Sequence, residues 1–293
     1  MSPLSAPPMA LGDASVPGAS GTAPGGLRRL PGTAKLALGI VAALWLVAAL
    51  SPLASKRAAE IRLSERLSPP SAAHPFGTDD LGRDLLARVV VATPLSLAIG
   101  TLAAAVSFLV GFSIGAAAGW SGGTVDLLLS RLIEVVLCFP VLFLLLALAA
   151  FLPPSAASVI LAIGLTTWPG DARFARAEIL KARNLDYTRA ARAAGASTPR
   201  ILVRHLLPVA APPLLVSAAF GVAWAILAEA ALSFLGIGLP PPLASWGGIL
   251  SVAPAYIDEA WWIALFPGLA LFLTVTAYNL LAEGLRRATT ETS

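Results

Sequence analysis

Residues 36–55 read LALGIVAALWLVAALSPLAS, a run without a single charged side chain. A helix rises about 1.5 Å per residue, so a run of this length crosses a ~30 Å hydrocarbon core. The same pattern recurs along the chain. Residues 89–125, 135–170 and 260–282 are uncharged, and residues 209–235 hold one carboxylate, Glu229. Only helices or closed barrels satisfy every backbone polar group in lipid, and uncharged runs this long fit helices rather than short alternating strands. The composition agrees: 57% hydrophobic residues, 12% charged residues and a mean hydropathy of +0.81 leave too little polar surface for a soluble domain of 293 residues. The fold class is therefore all-α and membrane-embedded. A nucleic-acid partner is not indicated, because the net charge of +4 comes from charges confined to a few short stretches.

Punctuation divides the runs into six expected spans, at about 36–55, 89–119, 132–152, 155–170, 209–235 and 260–282. The second run is longer than one helix needs, which places an interfacial turn at Gly119 to Gly123. Pro153 and Pro154 turn the third span into the fourth. Residues 1–34, rich in proline and glycine, read as a disordered tail, and residues 288–293 as a short C-terminal tail. The tail is not a cleavable signal, since the apolar run begins only after Lys35. With six spans both termini share a side. That side collects 14 of the 20 basic residues and is thereby cytoplasmic.

Between spans four and five, residues 171–208 are too long and too patterned for a plain connector. A first helix is expected over Asp171 to Lys181. Asp186 is placed to cap a second helix running to Ala194, Gly195 suits a left-handed stop, and Ser197 or Thr198 caps a third with Pro199 in its first turn. On physical grounds alone the arginines here, among them Arg173, Arg176, Arg183, Arg189, Arg192, Arg200 and Arg204, either hold the loop to anionic headgroups or serve a folded docking platform.

The stretch from Asp186 to Pro208, with Ala190, Ala191, Gly195, Leu207 and Pro208 at matching spacing, resembles the "EAA" loop of binding-protein-dependent ABC importer permeases. Three further stretches are similar to the C-type permease subunit of the dipeptide, oligopeptide and nickel importer family: His74 to Asp84 (HPFGTDDLGRD), Ala228 to Gly236 (AEAALSFLG) and Pro241 to Gly247 (PPLASWG). The resemblance covers about residues 35–287. It implies a six-span permease domain of the type I importer kind, with partners: a second homologous permease, two cytoplasmic ATP-binding subunits and an extracytoplasmic substrate-binding protein, all at a bacterial inner membrane. It also implies that Asp186, Tyr187, Ala190, Ala191, Ala194, Gly195 and Ala196 form a coupling helix and turn that dock on the ATPase. Two departures stand out. Arg189 replaces the leading glutamate of the motif, and the terminal pattern at Asn279 to Arg287 is altered at Ala282, Glu283 and Arg287.

No phosphate-cradling Gly-x-x-x-x-Gly-Lys-Ser/Thr loop includes any of the three lysines, Lys35, Lys56 and Lys181, so ATP hydrolysis is expected in partner subunits, and no cofactor is expected. Cargo of the family includes dipeptides, longer peptides, glutathione and nickel chelates. An ATP-independent carrier or channel is the competing class, yet inverted repeats and multiple intramembrane charges are not evident. Glu229 and Glu134 lie near apolar runs and are candidates for the pathway, with Arg131 in reach of Glu134. Asp79, Asp80, Arg83 and Asp84 follow Thr78, which reads as a helix cap; the group either compensates the helix dipole or meets a partner. Cys138 reads as a buried apolar residue, and Trp246, Trp261 and Trp262 as an interfacial belt.

Overall fold

The computed structural model describes residues 31–201, 204, 207–240 and 242–290. Nearly all of the expected disordered tail, residues 1–30, lies outside them. Every regular element described is helical: α1 (Gly32–Leu50), α2 (Ser55–Ala59), α3 (Leu85–Ser121), α4 (Gly123–Leu137), α5 (Val141–Phe151), α6 (Ala156–Arg183), α7 (Asp186–Ala193), α8 (Thr198–Ile201), α9 (Leu207–Phe234), α10 (Trp246–Leu250) and α11 (Trp262–Thr290). Among the described residues four stretches are long and apolar enough to cross a membrane: 32–59, 85–121, 210–234 and 262–288; α4 with α5 makes a fifth if the pair counts as one span.

Three boundaries differ from the expected ones. The turn expected from Gly119 is confined to Gly122 and Gly123, with φ of +67° and +57°. Gly119 instead stays helical, where packing demands it. The span expected at 132–152 is two helices whose axes differ by 87°. Pro140 causes the break, because it lacks an N–H for the helix ladder and pushes Phe139 out of the helical region. Cys138 sits at this corner and is exposed rather than buried. Finally, the fourth span and the expected first cytoplasmic helix are one uninterrupted helix, α6, which runs through Pro169 and Asp171. Its start is capped by Ser155, whose hydroxyl accepts from Ser158 N at 3.1 Å.

The spine of the bundle is the parallel pair α3 and α6. Gly111, Gly115 and Gly119 recur every fourth residue on α3, so their bare backbones line one stripe. A Cβ at Gly115 would lie 2.2 Å from Ala172 O, and one at Gly119 2.8 Å from Arg176 O. Small residues at this spacing let two helices approach closely enough for dispersion to hold them in lipid, where hydrophobic pressure is absent. At about 55 Å, α3 is longer than the hydrocarbon core, so the pair continues beyond it. α9 packs on α11 and against both α3 and α6, and α1 packs on α11.

Candidate functional site

At the α7 end, the tips of α3 and α6 carry a small platform. Ile179, Ala182 and Ile201 form its apolar seat, with Trp120, Ala191 and Ala196 packed against it. Thr188 Oγ1 donates to Ala182 O at 2.9 Å, and Arg183 Nη1 to Trp120 O at 2.9 Å. The Arg192 guanidinium lies 4.8 Å from the centre of the Trp120 ring, a cation–π contact. Below the platform, Arg176 grips Asp126 with two hydrogen bonds of 2.5 and 2.7 Å, joining α6 to the start of α4.

α7 ends as expected of a glycine stop. Gly195 has φ +80°; its N–H bonds Arg192 O, and Ala196 N–H reaches back to Ala191 O at 3.1 Å. This pairing closes a Schellman turn. The start differs. Leu185, not Asp186, occupies the cap position, and Asp186 is the first helical residue with its carboxylate wholly exposed, 3.7 Å from Arg189. The expected coupling residues therefore divide: Ala191 and Ala196 pack inward, whereas Asp186, Ala190, Ala194 and Gly195 face outward. The side chain of Tyr187 lies outside what is described.

The opposite end is closed by the segment before α3. Thr78 is not a helix cap. Its hydroxyl donates to Glu65 O and accepts from Ser68 N, while its carbonyl accepts the Trp262 indole N–H at 3.0 Å. The cap of α3 is Asp84, which accepts from Ala87 N at 2.8 Å and pairs through its other oxygen with Arg57 and His74, each at 2.9 Å. Asp79 is fully buried, where it accepts from Leu81 N, Arg83 N, Arg83 Nε and Arg88 Nη1. Nearby, Arg62 hydrogen-bonds Glu60 and Glu65, which hold its guanidinium above the ordinary arginine pKa. Asp79 and Arg83 thus build a structural knot, and only Asp80, 3.9 Å from Arg83, remains at its rim.

Trp246 and Trp262 are likewise buried rather than belt residues. Trp246 donates its indole N–H to Val89 O at 3.1 Å, and its backbone N–H to Ser96 at 3.0 Å. Only Trp261 is half exposed. Beside them Glu229 is fully buried on α9: Oε1 accepts from Ser233 at 2.7 Å, and among the described residues Oε2 meets no hydrogen-bond partner. Glu134 is an exposed residue bonded to Arg131 at 2.7 Å.

Asp171 reads in the sequence as the start of a cytoplasmic helix, with no place in a pathway. Asp171 faces a cavity of about 560 Å³ walled by α3, the α4–α5 corner, α6, α9 and α11. Ser107 donates to its Oδ2 at 2.6 Å and Ser217 to its Oδ1 at 3.3 Å. The signal available beforehand was a carboxylate directly after a long uncharged run. Among the described residues, no group of His, Cys, Asp and Glu is placed to hold a metal ion.

A bundle of long apolar helices with a cavity among them and an exposed platform at one end defines a multi-pass membrane protein. Residues 111–291 match the family described as binding-protein-dependent transport system inner membrane component, and the chain belongs to that family. It is 48% identical over 221 residues to a putative peptide transport system permease protein of Brucella suis, covering 75% of this chain and 74% of that one. It is 38% identical over 250 residues to the dipeptide transport system permease protein DppC of Alkalihalophilus pseudofirmus, covering 85% and 82%. A solved structure titled as inward facing conformations of the MetNI methionine ABC transporter matches in fold, with a TM-score of 0.56 at 20% identity over 71% of this chain and 98% of that chain.

Proposed function

We propose that this chain is one of two permease subunits of an ATP-driven importer that moves peptides across the bacterial cytoplasmic membrane. The observation that carries the reading is the platform: a short exposed helix, stopped sharply at Gly195 and anchored on the ends of the paired α3 and α6. Such a helix suits a lever. Two ATP-binding subunits that close on ATP would carry it with them, and the rigid pair would pass the movement to the cavity walls, changing the side to which the path opens. The names of the relatives support peptides as cargo.

In this reading α6 crosses the membrane with its apolar half, residues 156–170, which completes six spans and puts both termini in the cytoplasm. The knot of residues 55–84 and the α10 region then face outward, towards a substrate-binding protein. Asp80 at the rim of the knot is available to such a partner, and exposed Glu134 to the second permease. Buried Glu229 stays beside the outer end of the path. A glutathione cargo has one observation behind it: a glutathione transport system permease protein of Pectobacterium atrosepticum is 38% identical over 219 residues.

The test is to express the chain with the products of neighbouring genes, isolate it by a tag, and measure uptake in liposomes. Co-isolated ATPases and a second permease, with uptake of dialanine that needs ATP and the binding protein, are expected. A chain that purifies alone and passes solute without ATP would make it a carrier or channel instead.

A further inference from the structure

Asp171 stands on α6 directly after its apolar half, at the level where α3 crosses α6 through Gly111. A Cβ on that glycine would touch the Asp171 side chain. The cavity it faces is mostly apolar, with Leu144, Phe220 and Trp224 among its walls and Thr166, Thr167 and Asn279 as further polar groups. Its volume of about 560 Å³ falls in the range of small-molecule sites. Among the described residues, no lysine, arginine or histidine lines it, and no charged side chain acts on Asp171. A partly buried carboxylate without a counter-charge is costly, which favours a cation brought to it from the cavity.

The hydroxyls of Ser107 and Ser217 narrow what can meet it. Each donates to a different oxygen of the carboxylate, which fixes its plane and still leaves each oxygen free to accept again. A planar guanidinium needs both oxygens presented side by side, and the serines already take part of that edge. A primary ammonium is compact, carries three donors and can approach one oxygen from the open side. Peptides carry one such group in common, the α-ammonium.

We infer that this cavity is a transit site that receives the α-ammonium group of the peptide in passage, with Asp171 as its acceptor and the apolar walls holding the first side chain. The inference rests on the peptide reading above and names the group that the path would recognise. A purely structural role is the competing account, in which Asp171 only ties α3, α6 and α9 together through the two serines.

Labelling by a membrane-permeant carbodiimide, read by mass spectrometry at Asp171, separates the two in the intact permease–ATPase complex without binding protein. Dialanine at millimolar concentration is expected to slow labelling at least fivefold, and N-acetyl-dialanine to leave it unchanged. Equal labelling in all samples, equal protection by both peptides, or no labelling at all would overturn the assignment. In the full transporter, Asp171→Asn is expected to cut dialanine uptake at least tenfold while ATP hydrolysis stimulated by the binding protein stays near normal, and Asp171→Glu to recover part of the uptake. A structural tie would lower both activities together. Failure of the peptide reading looks different: the native transporter would take up no dialanine, yet protection by a simple primary amine such as methylammonium would still show the site.

Discussion

Replacing Gly115 by alanine tests the α3–α6 spine with the smallest possible perturbation. The added Cβ would lie 2.2 Å from Ala172 O, 2.9 Å from Ala175 Cβ and 2.9 Å from Arg176 N. Two of these are backbone atoms of a helix, which cannot swing aside as a flexible side chain would, and ordinary contact begins near 3.4 Å. The helices must separate by about 1 Å, and overpacking of this kind costs about 1–3 kcal/mol. The separation also loosens the neighbouring contacts at Gly111 and Gly119, which share the stripe. Thermal unfolding of the purified complex in detergent should show Gly115→Ala clearly destabilised. Gly39→Ala and Gly268→Ala, where a Cβ would meet nothing within 4 Å, should leave it unchanged. If all three variants unfold together, close backbone approach does not hold the spine and the account of its rigidity fails.

Three further outcomes follow from the same geometry. Arg176→Ala and Asp126→Ala should each cost about 1 kcal/mol, and the double variant no more than either, since both remove one two-bonded ion pair; additive losses in a double-mutant cycle would show the pair to be unimportant. Trp246→Phe removes the N–H given to Val89 O together with the five-membered ring of a fully buried indole, so a loss of about 2–3 kcal/mol is expected against about 3–5 kcal/mol for Trp246→Ala, again by unfolding midpoint. Gly195→Asp puts a charged side chain on a residue at φ +80° on the exposed turn, and should abolish uptake while membrane insertion stays normal; undiminished uptake would remove the turn from the coupling path.

The membrane class and the platform were legible because their signals are local: long uncharged runs, and a glycine where a helix must stop. What escaped was set by packing. Gly111, Gly115 and Gly119 were visible at four-residue spacing, but their meaning depends on α6, which is distant in sequence. The charge at Asp171 looks in the sequence like the end of a span, whereas the two serines that hold it come from α3 and α9. Pro140 was in plain view, yet an apolar run on both sides of it gave composition no reason to divide the span. The acidic group after Thr78 suggested a helix start, and α3 does start there, though at Asp84; Asp79 serves loop N–H groups and two arginines that only the folded chain brings together.

The most direct test of the central claim is uptake of dialanine into proteoliposomes holding this chain with its partner permease and ATPases. Accumulation that requires ATP inside the cytoplasmic-facing compartment and binding protein on the other side is the predicted result. Uptake that proceeds without ATP, or without the binding protein, would contradict it.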